Sequence, residues 1–180
     1  TSDANHVFHP YAVAITKGET EAEFLFRALS KAIPDWKPTV LLADGSEAIT
    51  NGFISVFGEP EVRLMCFFHV IKNVDKYLRA IEASLRAQIK NDIYVLQTSP
   101  NSEVFAKASK LFLKKWKASP DQKVIEFIEY FEREWLVSLP NWYEGADTDS
   151  PSSNNGVEGT NAVIKDEFTL RERMPVGQFL

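Results

Sequence analysis

Cysteine is nearly absent from this chain of 180 residues: Cys66 is the only one. A single thiol excludes an internal disulfide and suits a reducing compartment. No apolar run approaches the roughly 20 residues that cross a bilayer, and the first residues lack the pattern of a signal peptide. Glycine-rich phosphate loops, internal repeats and serine or cysteine nucleophile motifs are missing as well. So is an excess of positive charge, since the formal net charge is −5. That balance argues against a domain that simply coats nucleic acid. The chain opens at Thr1-Ser2-Asp3 without an initiator methionine, as expected of a piece of a longer protein.

What is present is an ordinary globular composition, with 44% hydrophobic and 12% aromatic residues. The length suits one domain with a sizeable core, or one domain carrying an insertion. Charge is unevenly spread. Residues 1–69 carry five basic and nine acidic groups, residues 70–123 eleven and five, and residues 124–180 four and eleven. A basic middle between acidic flanks is a candidate nucleic-acid face, although basic helices are more often solvated surface.

The chain is organised around residues 38–74. Val40 to Ala43 reads as a strand buried on both faces. It stops at Asp44-Gly45, and Ser46 can cap a helix in which Ala48, Ile49, Phe53 and Val56 recur at helical spacing until Gly58 and Pro60. A second strand, Val62 to Phe68, leads to His69. Strand–helix–strand units bind ligands at the carboxyl ends of their strands, where Asp44 stands.

Upstream, Ser2 to Asn5 has turn chemistry and Tyr11 to Ile15 is a strand. Thr20 to Ile33 is an amphipathic helix with Phe24, Leu25, Ala28, Leu29 and Ile33 on one face. Downstream the strand pattern disappears. Val70 to about Leu96 reads as one long helix, and Val104 to Trp116 as a second. Ser119-Pro120-Asp121-Gln122 is a capping box that opens a third, with Val124, Ile128, Phe131 and Trp135 on one face. Pro140 ends that run. A polar loop over 146–156 precedes a last helix, about 155–168, whose spacing puts Asn154 or Asn155, Glu158, Asn161 and Lys165 on one side and Val157, Ala162, Ile164 and Phe168 toward a core.

Taken together, these blocks resemble the Mutator-like element (MULE) transposase domain of the RNase H-like DDE transposase superfamily. The resemblance rests on Asp44, Ala48-Ile49, Met65-Cys66, His69-Val70 and Asn73-Val74 in that order. Phe8-His9-Pro10 and Glu19-Thr20 to Phe24 support it upstream, and Asn154-Asn155, Glu158, Asn161 and Ile164-Lys165 downstream. It covers residues 7–74 and 152–165, and is loose between them. The implied fold is α/β: an RNase H-like sheet, truncated at its N-terminal side and flanked by helices, with an α-helical insertion before the last catalytic helix. Residues 1–70 would be the first part of the core, 71–150 the insertion and linker, and 151–180 the C-terminal catalytic helix.

The resemblance also implies a chemistry. Such enzymes cut and join DNA with an Asp, Asp, Glu triad that holds two Mg²⁺ or Mn²⁺ ions, because paired divalent cations stabilise both the attacking and leaving oxygens of phosphoryl transfer. Asp44 matches the second carboxylate and Glu158 the third. Their carboxylates are then expected within about 4–8 Å of each other. Asn154, Asn155, Asn161 and Lys165, together with Cys66, would be supporting residues of that site. The first carboxylate belongs to an Asp-x-Thr-Tyr/Phe strand upstream of the turn at Asp3, so this chain carries two of three metal ligands. DNA, as transposon ends and target, would be the partner, in a homo-oligomeric complex in the nucleus, with no membrane.

Two alternatives stay open. A DNA-binding transcription regulator of transposase descent would keep the fold without catalysis, and an RNase H-type nuclease would act on RNA–DNA hybrids. The Cys66-x-x-His69 pair is open too. With His6 and His9 it makes a Cys₁His₃ zinc site conceivable. Otherwise Cys66 is a packing residue, and His69 an active-site group toward a DNA phosphate or the water at the metal. Because one carboxylate is missing, the 180-residue chain is expected to show no metal-dependent nicking of supercoiled plasmid. Mg²⁺-dependent cleavage by it, abolished in Asp44→Asn, would mean that the triad has been misplaced.

Overall fold

The hydrophobic period switches along the chain from that of short strands to that of helices, and the architecture follows the switch. The computed structural model describes residues 22–151 and, beyond them, Gly156, Gly159, Thr160, Ala162, Val163 and Asp166, all six helical. The expected turn at Ser2 to Asn5, the Phe8-His9-Pro10 block and the strand Tyr11 to Ile15 lie outside the described residues.

Among the described residues the fold is mixed α/β and mostly helical, with one two-stranded parallel sheet. Strand β1 (Val40–Ala43) pairs with β2 (Val62–Met65), Val40 opposite Val62 and Ala43 opposite Met65. Helix α2 (Glu47–Phe57) makes the crossover between them. Gly58, at φ 84°, ends it, because a residue without a Cβ takes that positive φ without a clash. β1 was expected to be buried on both faces. Leu41 and Ala43 are buried beside Phe53 of α2, whereas Val40 and Leu42 are only half covered by the described residues. β2 stops at Met65, three residues short of the expected Phe68, because the Cys66 carbonyl oxygen accepts the His69 and Val70 amide hydrogens and so opens α3.

Helix α1 (Ala22–Ala32) packs on α2. Its expected apolar face is partly wrong. Phe24 is 68% exposed and Ala28 and Ile33 are exposed, while Phe26 carries the contact, edge-on to Phe53 and Phe57. The two backbones approach so closely that a Cβ at Gly52 would stand 2.7 Å from the Glu23 amide nitrogen. That approach rotates α1 onto its Phe26 side.

The remaining described helices form a second, larger core. They are α3 (Phe67–Leu78), α4 (Ala83–Gln97), α5 (Ser102–Lys117) and α6 (Gln122–Phe131), which runs on into a π-helical turn, Glu132–Ser138. The single long helix expected over 70–96 is therefore two. Glu82 breaks it, accepting the amide hydrogens of Ser84 and Leu85 as an N-cap for α4. The hydrophobic seam hides the break, since Val74, Leu78, Ile81 and Ile89 stay buried in one cluster across it. α6 likewise is capped by Asp121, whose Oδ1 accepts the Lys123 amide hydrogen, rather than by Ser119. The expected face of Val124, Ile128, Phe131 and Trp135 is buried throughout. Each fully buried aliphatic or aromatic side chain there contributes about 1.5–3 kcal/mol.

In the last helix Ala162, expected toward the core, is exposed. Val157, Ile164 and Phe168 lie outside the described residues. No described helix is long and apolar enough to cross a membrane.

Two helical glycines give opposite expectations. Gly52→Ala should destabilise the fold by about 1–3 kcal/mol in urea unfolding, because the methyl has no room against α1. A Cβ at Gly159 would meet nothing within 4 Å among the described residues, so Gly159→Ala should be neutral or stabilise by up to about 1 kcal/mol. Equal effects at both positions would contradict the close approach of α1 and α2.

Candidate functional site

Parallel strands leave their last carbonyl groups at one edge, and here an arginine gathers them. The half-buried Arg63 guanidinium donates from Nη1 to the Ala43 carbonyl oxygen at 3.4 Å and to the Leu64 carbonyl oxygen, and from Nη2 to the Asp44 carbonyl oxygen. Its Nε donates to Thr50 Oγ1 of α2 at 3.1 Å. One cation thus ties both strand ends to the crossover helix. Burial lowers the Arg63 pKa, and the charge of Asp44 offsets part of that effect.

Asp44 follows directly. Its Oδ1 accepts the Ser46 amide hydrogen at 3.0 Å, which fixes the carboxylate over the start of α2. Ser46 holds the N-cap position as expected, but its hydroxyl makes no capping bond. The helix start is held by Asp44 instead, as a local Asx turn.

The Asp44–Ser46 loop and Met65 floor an open cleft of about 550 Å³. One wall is a stripe of α3, where His69, Asn73 and Tyr77 recur every four residues and so share a side. His69 stands in the first turn of α3, not at a strand end as expected. Asn73 Nδ2 donates to the His69 carbonyl oxygen at 2.9 Å. The other wall is Tyr130 of α6 with Arg133, Glu134 and Trp135 of the π turn. Widened turns of this kind are frequent at functional sites, and this one brings three successive side chains to the same cleft. Tyr77 and Tyr130 stack across the gap between helices, centroids 3.9 Å apart and rings 22° from parallel. Trp135 Nε1 donates to the Tyr130 hydroxyl at 3.0 Å. Burial raises the Tyr130 pKa, against the lowering effect of that bond.

The structure therefore brings Asp44 and His69 into one cleft. Cys66 is fully buried at the start of α3, and its amide nitrogen donates to the Ala43 carbonyl oxygen at 3.0 Å. Glu158, Asn154, Asn155, Asn161 and Lys165 lie outside the described residues, as do His6 and His9. Among the described residues no three His, Cys, Asp or Glu side chains converge on a point where they could hold a metal. Asp44 is a hard-oxygen ligand of the type that Mg²⁺ or Mn²⁺ takes, and the described residues supply no complete set around it.

Sequence reasoning missed Arg63, Tyr77, Tyr130 and Arg133. For Arg63 a signal was there: an arginine inside the apolar run Val62-Arg63-Leu64-Met65 needs acceptors. For the others none was, because the cleft depends on how α6 docks against α3. The basic block of residues 70–123 is also partly neutralised. Lys90 pairs with Asp75 at 2.7 Å, Lys115 with Asp92 at 2.6 Å and Lys117 with Glu132 at 2.5 Å. Comparison of the chain with models of protein families, with curated proteins and with solved structures returned no match.

Arg63→Met leaves the carbonyl groups at the strand ends without their shared donor, so it should destabilise the fold by about 1–3 kcal/mol. Arg63→Lys keeps the charge but not the planar fork and should recover only part of the loss. Urea midpoints measure both, and a midpoint unchanged in Arg63→Met would contradict the role given to the guanidinium.

Proposed function

We propose that this chain is part of the catalytic core of a DNA transposase of the Mutator-like type, acting by metal-dependent strand cleavage and transfer on an RNase H-like sheet. The observation that supports this best is the meeting of Asp44 and His69 in one cleft at the carboxyl ends of two parallel strands. Both residues belong to the sequence blocks that resemble that family, and strand ends are where open α/β sheets place their ligands. In this reading Asp44 and Glu158, with a carboxylate from outside the chain, hold Mg²⁺ or Mn²⁺. The ions would supply charge stabilisation for phosphoryl transfer. His69 orients a DNA phosphate or the attacking water by hydrogen bonding from the α3 side of the cleft. Asp44 is kept in place by the Ser46 amide and by the Arg63 clamp behind it. DNA is the substrate, and the working complex is a homo-oligomer in the nucleus.

The full-length protein tests this with supercoiled plasmid and Mg²⁺ or Mn²⁺. Nicking is expected, reduced about a hundredfold or more in Asp44→Asn and in Glu158→Gln, and about tenfold or more in His69→Gln. DNA binding without metal-dependent nicking would favour the transcription-regulator reading. Nicking unaffected by Asp44→Asn would overturn the site.

A further inference from the structure

The cleft has a feature that phosphoryl transfer does not require. Two tyrosines from separate helices, Tyr77 on α3 and Tyr130 on α6, lie stacked at its wall. Tyr77 is 54% exposed, and since one ring face is covered by Tyr130, its exposure belongs to the other face and the edge. The Tyr130 hydroxyl accepts a hydrogen bond from the Trp135 indole, which fixes that ring and so braces the pair. Beside it stands the exposed Arg133, which forms no ion pair among the described residues. Asn73, one turn from Tyr77, adds a polar group at the same wall, with Lys76 Nζ donating to its Oδ1 at 3.4 Å.

We infer that this plane is a nucleobase site: one unpaired base stacks on Tyr77, and Arg133 takes the phosphate beside it. The inference rests on the nucleic-acid reading of the cleft and names the form of nucleic acid that the cleft takes. An exposed, braced aromatic face next to a cation is the combination that binds single strands, since every base offers a π face and every nucleotide a phosphate. A base inside a duplex is already stacked on both sides, so the site selects an unpaired one. Glu134 on the same wall repels phosphate, which confines the backbone to the Arg133 side and leaves the Glu134 carboxylate toward amino groups on the base edge.

The test uses the 180-residue chain in EDTA, so that neither metal nor cleavage enters. A blunt DNA duplex is compared with the same duplex carrying an unpaired overhang of about five nucleotides that contains 2-aminopurine. The overhang should bind more tightly than the blunt duplex and its fluorescence should be quenched. Tyr77→Ala should weaken overhang binding about tenfold, remove the quench and leave blunt binding unchanged. Tyr77→Phe, which keeps the stacking face, should retain both. Arg133→Gln should weaken binding and reduce the salt dependence by about one charge. The site is overturned if Tyr77→Ala changes nothing, if it weakens both duplexes equally, or if no unpaired strand binds. Those failures leave the plasmid-nicking test of the carboxylates standing, and a failure of nicking leaves the stacking result standing.

Discussion

The indole of Trp142 is the contact on which the rest of the described structure depends. It is 1% exposed and lies stacked with Phe67 of α3, edge-on to Phe105 of α5 and edge-on to Phe131 of α6. Its Nε1 donates to the Trp135 carbonyl oxygen in the π turn at 2.6 Å. One residue earlier, the Asn141 carbonyl oxygen accepts the Met65 amide hydrogen at 2.8 Å, and Asn141 Nδ2 donates to the Arg63 carbonyl oxygen at 3.2 Å. A short segment therefore bonds to the last residues of β2 while its side chain fills the middle of the helical core. A two-stranded sheet is marginal by itself, and this segment joins the sheet to the larger core.

That junction explains the cleft. Trp142 holds the π turn through the Trp135 carbonyl, and the π turn carries Arg133, Glu134 and Trp135 to face the Asp44 loop. On the opposite wall α3 starts immediately after β2, so the distance between His69 and Asp44 is limited by the sheet itself. Arg63 fixes the floor by binding the carbonyl groups at both strand ends. Floor and walls are thus set by three separate devices. Backbone hydrogen bonds, a half-buried cation and aromatic packing converge on one opening.

How much of this was legible in the sequence depends on the range of the interaction. The β1–α2–β2 unit could be read because Val40 to Ala43 and Val62 to Met65 are apolar runs separated by a helical period, which is local information. The break after Leu78 could not be read from periodicity, because the buried seam continues in phase from Leu78 through Ile81, and only the Glu82 carboxylate marks the new helix. α1 was misjudged at Phe24 because its contact face is chosen by a missing side chain at Gly52, on another helix. At the site, Asp44 and His69 are expected residues through the family resemblance alone, and the structure places both at one cleft. The aromatic and basic wall was not expected, since Tyr77 and Tyr130 meet only through tertiary packing. His69 sits in the first turn of α3 rather than at the end of a strand, because the carbonyl of Cys66, directly after β2, already accepts the amide hydrogens of His69 and Val70.

The central proposal is that Asp44, at the strand ends, and Glu158 share one metal site. A crystal structure of the full-length protein grown with Mn²⁺ tests it most directly. The account predicts anomalous density for Mn²⁺ against Asp44, with the Asp44 and Glu158 carboxylates within about 4–8 Å of each other. Glu158 pointing into solvent, or its helix seated on the sheet face away from Asp44 with no ion bound there, would contradict it.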